Sequence, residues 1–205
     1  MKRTMIGLGL AAAAAVSAVP ALAQDGDQSP SPAAEATPIP VTTKSGRPDL
    51  YLEMPYTIGG FEPDIVMIRG DEHFANLSPD DPTRLQLEAF LASVGAETED
   101  LVSGSALVSQ EDYFAFIVGI RVDGVEPGTL LPAYLPILLA DLEDASSTED
   151  QVGGRDVTVV TSVGDDDEYV PLYVYDQGDT LWMVQGPSDI MASTLESLPD
   201  PLPAE

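Results

Sequence analysis

The sequence predicts an α+β domain, an antiparallel sheet of about six strands with two or three packed helices. Several segments alternate apolar and polar residues in the way that strands do. Three others carry apolar residues at helical spacing behind capping residues. These signals fall within residues 50–199, about 150 residues, which is the size of one ordinary domain with a single core.

The strands are predicted from their alternation. In residues 113–122 both alternating faces are largely apolar, which indicates a central strand covered on both sides. Residues 169–175 also alternate, but Pro171 cannot donate a ladder hydrogen bond, so an edge or bulged strand is expected there. A turn over 176–179 then leads into a strand at 181–185 and completes a hairpin.

The helices are predicted from caps and spacing. The first covers 82–94 and has Asp81 as its N-cap. The second covers 129–143, and Pro136 should bend it because proline removes an internal hydrogen bond. The third covers 188–198 and ends at the proline that follows.

Two Gly-Gly pairs suggest an internal duplication. The stretch QVGGRDVTVV occupies residues 151–160, and TIGGFEPDIV occupies residues 57–66. A strand follows each pair, so the glycines are expected to supply positive φ for a tight turn. A phosphate-binding loop is excluded, since no helix N-terminus follows and no lysine is available. The elements divide into two degenerate β-β-β-α units, 50–145 and 151–199.

The N-terminus carries the features of a signal peptide in residues 1–23. Lys2 and Arg3 precede an apolar, alanine-rich stretch, which ends in the small-x-small site before Gln24. We therefore expect a secreted or extracytoplasmic chain that begins at Gln24. The alternative is a segment retained as a membrane anchor, because the apolar stretch is just long enough to cross a bilayer.

Two segments outside the domain are predicted to lack a core. Residues 24–49 are rich in proline, serine and alanine and form a disordered linker, since they cannot bury enough apolar surface to offset their ordering entropy. Residues 200–205 form a C-terminal tail broken by prolines.

Charge and residue types exclude several classes of function. The chain has 35 acidic and 8 basic residues, a formal net charge of −27, and no lysine beyond residue 50. Nucleic acid and anionic membranes are therefore excluded as partners, whereas a cationic or protein partner fits such a field. We expect a monomer. The absence of cysteine excludes disulfides, thiol catalysis and cysteine-ligated metals.

Catalytic signatures are missing from the sequence. His73 is the only histidine, and its polar surroundings indicate an exposed bystander in a loop. No Gly-x-Ser-x-Gly elbow occurs, and a Ser-x-x-Lys pair is excluded in a domain without lysine. The chain is therefore predicted to be non-catalytic, and no organic cofactor is predicted.

An acidic run is the one candidate metal site, with calcium as its candidate ion. It consists of Asp165, Asp166, Asp167 and Glu168. Calcium takes several carboxylate oxygens, but the spacing departs from a calcium-binding loop at the fifth and sixth positions. The segment that follows alternates like a strand, so a solvated turn between strands is the favoured interpretation.

The final hairpin carries the candidate binding face, Tyr169, Tyr173, Tyr175 and Trp182. If these side chains point outward together, they form an adhesive aromatic surface. If a helix covers them, they belong to the core, which is the more usual place for an aromatic stripe.

The leading functional prediction is an exported, acidic, non-catalytic binding domain. One alternative is a divalent-cation-dependent protein or hydrolase that uses clustered carboxylates. The other is a domain that binds an apolar small ligand between the sheet and the bent helix 129–143.

Overall fold

The chain forms a mixed α+β fold built on one antiparallel sheet, which confirms the predicted fold class. The computed structural model describes residues 49–110, 113–142, 144–162 and 171–198. In these ranges there are seven strands and five α-helices, somewhat more than the six strands and two or three helices expected. The predicted signal peptide, the linker as far as residue 48 and the C-terminal tail lie outside the described residues.

All strands of the described ranges belong to a single sheet. In chain order they are β1 (Asp64–Arg69), β2 (Leu101–Gln110), β3 (Tyr113–Val122), β4 (Ser146–Val152), β5 (Arg155–Thr161), β6 (Leu172–Gln177) and β7 (Thr180–Gln185). Their spatial order is β1-β2-β3-β7-β6-β5-β4, and every neighbouring pair is antiparallel. The outer strands are therefore β1 and β4, while β3 lies inside the sheet as its double apolar pattern predicts.

The prediction of an edge or bulged strand around Pro171 is wrong. Strand β6 begins one residue later and pairs with β5 on one side and β7 on the other. Pro171 thus stands before the ladder begins, where a missing N–H costs no strand hydrogen bond. The turn after β6 is as predicted, with Gly178 at a φ of +65°.

The three predicted helices are present, with two further short ones. The helices are α1 (Leu50–Glu53), α2 (Gly70–Ala75), α3 (Pro82–Ser93), α4 (Leu130–Asp141) and α5 (Ser188–Ser197), and a 3₁₀ turn spans Thr98–Asp100. The Asp81 carboxylate accepts the Thr83 N–H at 2.9 Å, so the predicted N-cap of α3 is confirmed.

The sheet separates two apolar clusters. Helices α2, α3 and α4 cover one face, which we call the α4 face. Helix α5 covers the other, the α5 face, together with an N-terminal segment, residues 49–61, that includes α1 and that we call the strap. Strand β3 supplies both clusters by alternation, with Val118 and Ile120 on the α4 face and Ala115 and Ile117 on the α5 face.

Two glycines let the strap lie close to the sheet. Gly104 of β2 and Gly119 of β3 are direct cross-strand partners. A Cβ at Gly104 would lie 2.5 Å from Cε of Met54, and a Cβ at Gly119 would lie 3.2 Å from Cδ1 of Leu50. The missing side chains therefore leave a trough in the sheet, and the strap buries Leu50, Met54 and Ile58 on that side.

The Gly-Gly pairs form the tight turns that the sequence predicts. At Gly153 and Gly154 φ is +59° and +73°, the left-handed values of a two-residue hairpin turn, and the pair connects β4 to β5. Gly59 and Gly60 also have positive φ, in a turn closed by reciprocal hydrogen bonds between Ile58 and Phe61.

The proposed duplication stays a prediction. Outward from the central β3–β7 pair, the strands follow in the order β3-β2-β1 on one side and β7-β6-β5 on the other, as two related units would. A two-fold rotation that exchanges the antiparallel strands β3 and β7 has its axis perpendicular to the sheet, so it does not exchange the two faces. Equivalent helices of two related units would therefore lie on the same face. Helices α4 and α5 nevertheless lie on opposite faces. The likeness of the units therefore extends to strand order and not to helix placement.

Candidate binding surface

Arg121 is completely buried within the sheet, and two carboxylates neutralise it. Its Nη2 donates to Glu53 Oε2 of α1 at 2.6 Å, and its Nε lies 3.5 Å from Asp179 Oδ1. The same Nε donates to Thr180 Oγ1 at 2.9 Å. The side chain of Arg121 is 0% exposed and those of both acids are 10% exposed. The group therefore fixes α1, and with it the strap, to the sheet.

Two more arginines contact groups of the domain itself. Arg84 of α3 donates to Glu88 at 2.8 Å, and its guanidinium lies 5.6 Å from the ring centroid of Phe74. Arg155 of β5 donates to backbone carbonyls at the C-terminal end of α5 and lies 5.3 Å from the ring centroid of Tyr175. A cation at a helix C-terminus interacts favourably with the helix dipole, so Arg155 stabilises the docked position of α5.

The surface of the described ranges is left strongly anionic. Arg69 is the remaining arginine beyond residue 48, and its half-exposed side chain lies 3.6 Å from Asp71. Exposed carboxylates, in contrast, are spread along these ranges from Glu62 to Glu196. Because little positive charge reaches the surface to compensate them, the domain presents a negative field to its surroundings.

The outer side of the strap is apolar and exposed. Relative exposures are 40% for Tyr51, 51% for Leu52, 79% for Tyr56 and 42% for Phe61. The ring of Phe61 packs on Tyr113 of β3, with 5.0 Å between the centroids. The buried residues of the strap recur at every fourth position, Leu50, Met54 and Ile58, which leaves the large residues between them on the outside.

Two residues of the predicted aromatic face, Tyr175 and Trp182, are buried in the core. Tyr175 is 5% exposed and Trp182 0% exposed, and both belong to the cluster on the α5 face. The indole Nε1 of Trp182 donates to Gln177 Oε1 at 2.9 Å. Tyr173 is half-buried against the same cluster, and Tyr169 lies outside the described residues. For Tyr175 and Trp182, therefore, the core interpretation describes the structure.

The predicted calcium ligands Asp165, Asp166, Asp167 and Glu168 lie outside the described residues. Elsewhere, within the ranges that are described, histidine, aspartate and glutamate form no group of three or more that could hold a metal ion. The calcium site thus stays a prediction about residues 165–168.

His73 lies on α2 and is half-buried, in contrast to the exposed loop position expected from the sequence. Burial lowers the pKa of its imidazole, and the charge of Asp81 opposes this effect. His73 lines a cavity of about 20 Å³ together with Ser103 and apolar side chains. A cavity of that volume holds about one water molecule, which is too small for a substrate.

The interface between α4 and the sheet is filled by side chains. Leu130 is 0%, Tyr134 2% and Leu138 3% exposed. Asp176 of β6 accepts the Leu131 N–H at 3.0 Å, so a carboxylate from the sheet caps this helix. Burial raises the pKa of Asp176, and backbone hydrogen bonds oppose that shift. An apolar ligand at this interface would have to displace the side chains that now pack there.

Comparison of the chain with protein-family models, with curated proteins and with solved structures gives no significant match.

None of the helices in the described ranges combines the length and the apolar character needed to cross a bilayer.

Proposed function

We propose that this chain is an exported, non-catalytic binding domain that recognises a positively charged partner. The observation that carries the proposal is the use of the arginines. Arg84, Arg121 and Arg155 each contact groups of the domain itself, and Arg121 is fully buried, while acidic residues remain exposed around them. A surface of this kind attracts basic partners and raises their rate of association.

The export signal supports this function. Residues 1–23 have the composition of a signal peptide, and the linker after them would hold the domain at a distance from the membrane. Outside the cytoplasm the available basic partners include cationic proteins and peptides. Two copies of the domain repel each other because both are strongly acidic, so we propose a monomer.

The test is direct binding to a cationic peptide. Residues 24–205 would be titrated into a fluorescein-labelled peptide in which arginine alternates with serine, and anisotropy would be recorded. A peptide with glutamine at every arginine position is the matched control. We expect saturable binding of the arginine peptide alone, weakened by salt because screening shortens the range of charge interactions. Equal binding of the two peptides, or binding of neither, would refute the proposal.

A further inference from the structure

Exposed apolar side chains are concentrated on the strap. Within the described ranges, six large hydrophobic residues are substantially exposed, Tyr51, Leu52, Tyr56, Phe61, Val66 and Leu85. Four of the six belong to the 13 residues of the strap. Scattered exposed apolar residues are normal on proteins, but a concentration of them on one segment marks an interaction site.

The exposed rings are placed among carboxylates. Glu62 follows Phe61 directly and is exposed. Burial raises the pKa of the Tyr113 phenol, and the nearby charge of Asp189 on α5 adds to this shift. Between residues 49 and 62 the sequence contains three acids and no basic residue, and because Arg121 neutralises Glu53, Asp49 and Glu62 keep their charge for the surface. The negative faces of the rings and these carboxylates therefore present the same sign of potential.

We infer that the strap surface, formed by Tyr51, Tyr56, Phe61 and Tyr113, binds arginine or lysine side chains from an extended basic segment of a partner protein. The inference rests on the proposed function and gives it a location. The guanidinium or ammonium stacks on the rings, its aliphatic stem covers their edges, and Glu62 and Asp189 neutralise its charge. Aromatic side chains are also the residues that contribute most to binding at protein interfaces.

The domain uses the same chemistry internally. Arg84 lies over Phe74 and also pairs with Glu88. Arg155 lies over Tyr175 at 5.3 Å from the ring centroid. Beside the strap, the exposed rings and Glu62 stand in a stretch of sequence, residues 49–64, that has no basic residue. A basic partner supplies that missing component, whereas a second copy of this acidic chain brings like charge.

The experiment compares two variants that lose exposed apolar area. Tyr56→Ala/Phe61→Ala removes the rings, and Leu85→Ala removes a residue of 52% exposure on α3, away from the strap. With the arginine–serine peptide as probe, we expect the first variant to weaken binding by at least about tenfold and the second by less than about twofold. Tyr56→Ala alone is the variant of choice if the double variant unfolds, since Tyr56 is 79% exposed.

Two double variants, each of which neutralises two acids, provide a second matched comparison. Glu62→Gln/Asp189→Asn neutralises the acids beside the rings, and Glu149→Gln/Asp150→Asn neutralises two exposed acids on β4. Both changes alter the net charge equally. We expect the strap variant to weaken peptide binding several-fold more than the β4 variant, because short-range pairing adds to the general field.

The outcomes separate this inference from the proposed function. If the unmodified chain fails to bind the peptide, the proposed function fails. If it binds and the ring variant binds equally well, the function stands and the strap site is wrong. Sedimentation velocity tests the other occupants. A dimer lost on Tyr56→Ala would assign the surface to a second copy. Tighter peptide binding on Tyr56→Ala would assign it to a competing segment of the chain itself, and either result overturns the inference.

Discussion

Replacing Arg121 by methionine should destabilise the domain severely. The guanidinium is fully buried and neutralises Glu53 and Asp179, whose side chains are only 10% exposed. Methionine fills a similar volume but leaves both carboxylates without their cation. Removing one partner of a buried ion pair costs about 3–5 kcal/mol. Domains of this size have free energies of unfolding of about 5–15 kcal/mol, so the variant should lose a large part of its stability.

Urea unfolding measures this loss, and Trp182 is the natural probe. It is the single tryptophan of the chain, is fully buried, and approaches Gly119 from the same side as Leu50 of the strap. With an m-value of about 2 kcal/mol per molar, the midpoint should fall by about 2 M. Arg69→Met is the matched control. Its half-exposed ion pair should change the free energy of unfolding by less than about 0.5 kcal/mol.

A second variant separates charge from packing. In Glu53→Gln/Arg121→Met one of the two unneutralised charges is removed, so part of the lost stability should return. A deficit below about 1 kcal/mol for Arg121→Met, or a double variant less stable than the single one, would refute the view that Arg121 acts by neutralising these acids.

Two further perturbations follow from the turn and from the cap of α4. Gly153→Ala should lower the free energy of unfolding more than Gly154→Ala. Both glycines have positive φ, so either substitution strains the backbone. A Cβ at Gly153 would in addition lie 2.5 Å from the carbonyl oxygen of Ala192, whereas a Cβ at Gly154 would face open space. Equal urea midpoints would contradict this. Because the pKa of Asp176 is raised, its contribution to stability is complete below the unfolded pKa of about 3.9 and is lost as pH rises through the folded value. Asp176→Asn keeps an acceptor for the Leu131 N–H. Its urea midpoint should therefore rise relative to that of the wild type as pH increases from 4 to 7, and a fall relative to the wild type would contradict the raised pKa.

The sequence predicted correctly those features that depend on residues within a single strand, helix cap or turn. The double apolar pattern of 113–122 predicted an internal strand because β3 is covered on both faces. Asp81 predicted the start of α3 because an N-cap acts within three residues. The Gly-Gly pairs predicted positive φ for the same reason, since turn geometry depends on adjacent residues.

Contacts between distant segments could not be predicted in this way. Strand β4 has six exposed residues in seven, so it shows no apolar alternation, and its pairing with β5 alone makes it a strand. The pairing of Arg121 with Glu53 joins positions 68 residues apart. Tyr175 and Trp182 are core residues because α5 and the strap cover that face, which the hairpin sequence cannot specify.

The candidate surface escaped the sequence analysis for a similar reason. Leu50, Met54 and Ile58 are buried only because Gly104 and Gly119 open a trough beneath them. Residues 50–61 fall within the predicted domain, but the sequence predicts no helix or strand for them. The exposed aromatic residues of the strap therefore have no predicted orientation, and Tyr56 and Phe61 gave no signal.

The salt dependence of peptide binding tests the central claim most directly. The affinity of residues 24–205 for the arginine–serine peptide would be measured by anisotropy at low salt and at about 0.15 M salt, where the screening length falls to about 8 Å. Recognition of a cationic partner by an anionic surface predicts saturable binding that weakens by at least about tenfold over this range, with no binding of the glutamine peptide. An affinity that is unchanged by salt, or an absence of binding at low salt, would contradict the account.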